Sequence, residues 1–330
     1  MRVAVLGGGA WGGVLAALAA GRGHEVALWE PDVGAADALA RQRRSARSIA
    51  GFALPEGVAV SSDLAAVVSD RPLAVVAVPS QFVRVTLCAA ASATAAAPVI
   101  VCASKGLEPG TGATLAEVIA ASVPGARAVV LSGPSFAQEI AAGFPAALVA
   151  ASTDAEAARL VQVSFGGERL RIYTSDDVVG VCLGGALKNV IAIAVGCCDG
   201  FGLGDSARAA LITRGLAEMG RLAVRLGGQA LTLAGLAGLG DLVLTCTGEL
   251  SRNRQVGLAL ARGESLAQVV ARLGHVAEGV GTAPTARDVA ARLGVDMPIT
   301  REVAAVLHEG KPARAALNAL LARDVRPERA

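Results

Sequence analysis

Short runs of β-branched and aliphatic residues recur through the first half of the chain. They are Val3–Leu6, Val26–Trp29, Leu73–Val78, Val99–Cys102, Ala128–Leu131 and Ala146–Ala150, with Leu170–Tyr173 trailing. Such nearly continuous apolar runs are what strands buried on both faces require. Between them, Trp11–Ala20, Asp63–Val68, Val83–Ala95 and Thr111–Ser122 carry helical spacing, and Thr153 with Glu156 reads as a capping box opening another helix. Strand, crossover helix and strand in repetition predict an α/β fold: a doubly wound, Rossmann-like parallel sheet with right-handed connections. After about Ser175 the strand signals stop. Helical patterns continue over Val178–Val195, Ser206–Leu226, Asn253–Ala261, Ser265–Leu273, Thr282–Arg292, Ile299–His308 and Ala313–Leu321. Glycines at Gly202–Gly204, Gly227–Gly228 and Gly235–Gly240 punctuate them. The expected division is therefore a dinucleotide-binding domain over 1–176 and an all-α domain over 177–330.

Composition narrows the function classes. The 330 residues are 53% hydrophobic and 18% charged with a net charge of +2, enough apolar surface for sizeable cores. No basic run exceeds the Arg41–Arg47 cluster, which argues against nucleic acid as a partner. Val178–Gly196 approaches the length of a membrane span, but Lys188 and Asn189 at its centre mark a buried core helix instead. Six cysteines (Cys88, Cys102, Cys182, Cys197, Cys198 and Cys246) show no metal-binding spacing and read as reduced core residues of a cytoplasmic protein. The expected assembly is a homodimer. One bias bears on the chemistry: of thirty cationic residues only three are lysine, Lys105, Lys188 and Lys311. A lysine that persists against arginine marks a position where a compact ammonium with a tunable pKa is needed.

Gly7-Gly8-Gly9-Ala10-Trp11-Gly12 follows the first strand directly and opens a helix, which is the context that gives G-x-G-x-x-G its meaning. Gly7 would make the turn, Gly9 would admit a pyrophosphate, and Gly12 would let helix and strand pack closely. The backbone of Ala10 and Trp11 would line the diphosphate, facing the helix N-terminus. The second strand ends at Glu30, eighteen residues after Gly12. A carboxylate there accepts from the adenosine ribose and repels a 2′-phosphate, favouring NAD over NADP, though both remain open. The bland alternative is an exposed glutamate at a strand end.

Lys188 sits in Leu183-Gly-Gly-Ala-Leu-Lys-Asn-Val-Ile-Ala-Ile-Ala194, with apolar neighbours on every helical face. Desolvation there lowers an ammonium pKa toward neutrality, where a proton donor works. Asp241, alone in Gly238-Leu-Gly-Asp-Leu-Val-Leu-Thr-Cys-Thr247, needs a cation, and Lys188 is the obvious one. Lys105 follows the strand Val99–Cys102, and Ser132-Gly133-Pro134-Ser135-Phe136-Ala137 closes the next strand at the same carboxyl edge, where ligands bind in such sheets. Ser251-Arg252-Asn253-Arg254 heads a helix, as a phosphate site or as a simple N-cap. The histidines His24, His275 and His308 neighbour none of these segments.

Taken together, these stretches closely resemble the bacterial NAD(P)-dependent glycerol-3-phosphate dehydrogenase family. The resemblance runs from Gly7–Gly12 through Ser104–Glu108, Ser132–Ala142, Gly180–Ala194, Asp205–Glu218, Ala237–Thr247 and Ser251–Arg254 to Met297–Thr300. It implies interconversion of dihydroxyacetone phosphate and sn-glycerol 3-phosphate, supplying phospholipid synthesis. By the same resemblance Lys188 is the catalytic lysine, while Lys105, Gly133, Ser135, Asp241, Ser251, Arg252 and Asn253 contact substrate. Ala137, Arg252, Val276 and Glu278 match cofactor positions, as does Lys105. Two positions depart from the family pattern near the adenosine end: Ala10 replaces the serine usual in the glycine loop, and Glu30-Pro31 stands where many members carry a neutral residue and then a basic one. Two other readings stay open: a related two-domain dehydrogenase of another small phosphate or hydroxyacid, and a non-catalytic NADH-sensing protein.

Overall fold

In the computed structural model, residues 1–44, 49–94, 98–273, 277–324 and 327 are described; Arg47, Ala95, His275 and Val276, singled out above, lie outside them. Eight strands form one sheet: β1 (Arg2–Leu6), β2 (Glu25–Trp29), β3 (Val58–Ser61), β4 (Leu73–Val76), β5 (Val99–Cys102), β6 (Arg127–Ser132), β7 (Ala146–Ala151) and β8 (Leu170–Ser175). Their spatial order is 3-2-1-4-5-6-7-8. The reversal between β1 and β4 makes the topological switch point at which such sheets bind ligands. Helices α1 (Ala10–Gly21), α2 (Val33–Gln42), α3 (Leu64–Val68), α4 (Val83–Ala90), α5 (Leu115–Ser122), α6 (Ala137–Ala141) and α7 (Ala155–Phe165) connect the strands. Apolar side chains fill both faces of the sheet, because β4 and β5 are buried at every position and β1 at all but its first.

Three local features differ from the sequence reading. β7 runs antiparallel to β6, because the five-residue α6 between them is too short to carry the chain back along the sheet. The cap of α7 is Asp154, whose carboxylate accepts from Glu156 N and Ala157 N, rather than Thr153. A carboxylate at that position is the stronger acceptor for a helix start. Cys88 is exposed, on the face of α4 opposite its buried Val83, Leu87 and Ala90; all six cysteines are free thiols.

The second half is helical throughout its described residues: α8 (Val178–Gly200), α9 (Gly204–Arg225), α10 (Ala230–Leu233), α11 (Asp241–Thr247), α12 (Arg252–Ala261), α13 (Leu266–Leu273), α14 (Glu278–Leu293), α15 (Pro298–His308) and α16 (Ala313–Leu321). Helix α8 is long and apolar enough to cross a membrane, but 83% of its most apolar window is buried inside this domain, as a core helix is. Its packing against α12 is close: a Cβ on Gly257 would stand 2.0 Å from Ile193 O. Glu218 of α9 joins two stretches of the family resemblance. Its carboxylate accepts from Ile299 N (2.6 Å) and Thr300 N (3.1 Å) and so caps α15, although burial raises its pKa to about 7.

Candidate active site

The glycine loop is built as its spacing predicts. A Cβ at Gly12 would fall 1.9 Å from Gly7 O, so only glycine lets α1 sit against β1. Gly7 itself lies at φ +126° against the Ala77 backbone. Gly9 is different: nothing lies within 4 Å of the Cβ it lacks. The protein does not need glycine there, and the open space faces the first turn of α1, where Gly9 is an N-cap without a side-chain bond. That turn, made by Ala10 and Trp11, suits a diphosphate. Gly9→Ala should leave folding stability unchanged and weaken NADH binding at least ~10-fold, measured by fluorescence titration beside thermal melting. Unchanged affinity would contradict a diphosphate at this loop.

Glu30 is not the exposed strand-end residue of the bland alternative. It is 2% accessible, and its Oε2 would stand 2.5 Å from a Cβ on Gly8, so the carboxylate lies directly against the loop. Pro31 and Asp32 continue into α2, capped by Asp32, which accepts from Ala35 N at 2.7 Å.

The reaction end gathers side chains from both halves of the chain. Lys105, three residues after β5, extends from the carboxyl edge of the sheet; its Nζ donates to Asp241 Oδ2 at 2.7 Å and to Gly133 O at 2.9 Å. Ser135 Oγ donates to the same carbonyl at 3.0 Å. Asp241 opens α11 after a π-turn over Leu236–Gly240, so the glycine cluster here winds into a helix instead of breaking one. Its other oxygen accepts from Lys188 Nζ. One buried carboxylate is thus shared by two ammonium groups, with side chains 1%, 8% and 17% accessible for Asp241, Lys188 and Lys105. Burial pushes the Lys188 pKa down to about 7; Asp241 opposes that fall and Lys105 adds to it.

Thr245 completes the group and was missed in the sequence, although it stands four residues after Asp241 on one helical face. Its hydroxyl donates to Asp241 O at 2.6 Å and accepts from Lys188 Nζ at 2.8 Å. An ammonium has three N–H donors, and these two partners leave Lys188 one for a substrate.

The Ser251–Arg254 segment divides its labour. Ser251 caps α12 by accepting from Arg254 N at 3.2 Å. Arg254 pairs with the buried Asp199, which also holds Arg208, so this arginine is structural. Asn253 is buried: its amide donates to Asn189 Oδ1 (2.8 Å) and accepts from Gly279 N (2.9 Å). Arg252 is exposed and has no hydrogen-bond or ion-pair partner among the described residues. Protein crowding around it lowers its pKa, opposed by the Glu278 charge, and a guanidinium stays ionised regardless. Glu278 and Ala137 are the first residues of α14 and α6. Neither His24 nor His308 joins the site; they contact the N-terminal amine and Val280 O.

A doubly wound sheet with a glycine loop at its first turn, and a buried lysine presented to the same edge by a helical domain, is the construction of a nicotinamide-dependent dehydrogenase. The chain belongs to the NAD-dependent glycerol-3-phosphate dehydrogenase family, matching its N-terminal part over residues 2–158 and its C-terminal part over 177–318. It is 50% identical over 330 residues to the glycerol-3-phosphate dehydrogenase [NAD(P)+] of Thiobacillus denitrificans, covering 99% of this chain and all of that one. To the enzyme of the same name from Anaeromyxobacter sp. it is 48% identical over 331 residues, with the same coverage. The crystal structure of glycerol-3-phosphate dehydrogenase from Coxiella burnetii superposes with a TM-score of 0.94 at 38% identity, covering 98% of this chain and 99% of that one.

Proposed function

We propose that this protein interconverts dihydroxyacetone phosphate and sn-glycerol 3-phosphate with NAD(P)H, supplying the glycerol phosphate from which phospholipids are made. The observation that carries the chemistry is Asp241 shared between Lys188 and Lys105 at the carboxyl edge of the sheet. When bound, the nicotinamide exchanges a hydride with the middle carbon of the substrate. Negative charge then develops on the attached oxygen, and Lys188, with one N–H unspent, gives it a proton in reduction and takes one back in oxidation. Asp241 and Thr245 aim that ammonium. Lys105 adds positive potential beside the same oxygen. Arg252, in the first turn of α12, has no hydrogen-bond or ion-pair partner among the described residues and is suited to the phosphate. Gly133, Ser135, Ser251 and Asn253 are the other positions that the family resemblance assigns to substrate.

The buried Glu30 carboxylate beside Gly8 supports NADH over NADPH, because a 2′-phosphate brought to it would meet like charge. Following NADH and NADPH absorbance separately with dihydroxyacetone phosphate tests both parts. Loss of NADH absorbance with the slower loss of NADPH is the expected result. No loss of either would reject the activity, and faster loss of NADPH would reject only the preference.

A further inference from the structure

Arg252 carries a full positive charge with none of its donors engaged by the described residues, although a carboxylate acts on it from nearby. That carboxylate is Glu278, and no ion pair joins the two among the described residues. Both its oxygens are taken from the other domain, by Ser80 in the 3-10 turn that follows β4 (Ser80–Phe82). Ser80 N donates to Oε1 at 3.1 Å and Ser80 Oγ donates to Oε2 at 2.5 Å. The start of α14 is itself fixed from behind, since Asn253 accepts from Gly279 N and donates to Asn189. The contact also lies against the Lys105 loop: a Cβ on Gly106 would be 2.6 Å from Ser80 Oγ and 3.5 Å from Glu278 Oε2.

We infer that Ser80 is a positioning residue: by engaging both oxygens of Glu278 from across the domain boundary, it keeps that carboxylate off Arg252 and leaves the guanidinium open to the substrate phosphate. The inference rests on the reading of Arg252 as the phosphate anchor. Burial makes an unpartnered carboxylate costly, and a guanidinium is its strongest available partner. Released from the serine hydroxyl, Glu278 would turn to Arg252, and each incoming phosphate would have to displace it. The nearby negative charge then acts only at a distance, offsetting part of the cost of crowding the guanidinium, without occupying its N–H groups.

The test is a double-mutant cycle read in steady-state kinetics. Ser80→Ala should raise KM for dihydroxyacetone phosphate about 10-fold with kcat little changed, as loss of one hydrogen bond to a charged group allows. In a Glu278→Gln background the same substitution should leave KM where that background sets it, because no charged competitor remains. Ser80→Gly is carried in parallel so that a packing fault in one variant does not decide the outcome. Calorimetric titration with inorganic phosphate supplies a readout without turnover, and Ser80→Ala should weaken it by the same factor. Equal effects of Ser80→Ala in both backgrounds, or none in either, would overturn the role of Ser80 while the wild type still turns over substrate and binds phosphate. A wild type that does neither would overturn the functional reading, and this inference with it.

Discussion

Lys188→Arg is expected to lower kcat for dihydroxyacetone phosphate reduction at least ~100-fold while NADH still binds. The substitution keeps a positive charge beside Asp241, so the electrostatics of the carboxylate are largely preserved. What it removes is a group able to lose a proton near neutral pH, because guanidinium remains ionised throughout the accessible range. Lys188 has that ability because burial pushes its pKa down to about 7 against the opposing pull of Asp241. Thermal melting read beside a NADH titration separates lost chemistry from a disturbed fold, since Lys188 lies in the core helix of the helical domain and the dinucleotide loop in the other. Near-normal turnover in a variant that binds NADH would remove Lys188 as the proton donor.

Asp241→Asn is expected to act on both rate and stability. The amide still accepts a hydrogen bond, but two ammonium groups then share no counter-charge in a site where Asp241 is 1% accessible. Breaking a buried ion pair from one side costs about 3–5 kcal/mol, which denaturant unfolding would read. With the attraction gone, the Lys188 pKa falls further, so at neutral pH the lysine is mostly deprotonated and reduction slows by ~100-fold or more. The surviving activity should have its pH optimum displaced to lower pH. An unchanged optimum would show that Asp241 does not set the protonation of Lys188.

These two residues were legible in the sequence for a simple reason: one carboxylate and one ammonium, each alone in an apolar run, have to meet. Lys105 was placed at the correct edge of the sheet by its position after β5. Its bond to Asp241, across 136 residues, depends on how the domains meet, which no local pattern encodes. The same limit applies to the arginines of α12. Arg252 and Arg254 look alike in sequence, and only the pairing of Arg254 with Asp199 on α8 tells them apart. Glu278 was placed at the cofactor by resemblance, yet its visible partner is Ser80, on a turn that the sequence reading passed over. Strand β3 escaped because its four residues, Val-Ala-Val-Ser, form a short edge strand after Pro55-Glu56-Gly57. The reversed β7 escaped because apolar pattern reports burial and carries no direction.

The most direct test is the pH dependence of kcat/KM measured in both directions on the wild-type protein. On the proposed mechanism, reduction needs the protonated Lys188 and oxidation the neutral one. Reduction should therefore hold at low pH and fall above about 7, while oxidation rises through the same range. The overall reaction takes up one proton on reduction, which fixes the slope of the ratio of the two profiles for any catalyst. The lysine is therefore read from the bend near 7 in each profile separately, after allowance for the substrate phosphate. A bend near neutrality in each profile, lost in Lys188→Arg, is the predicted result. Wild-type profiles with no bend near neutrality, or a bend that persists in Lys188→Arg, would contradict proton transfer by Lys188.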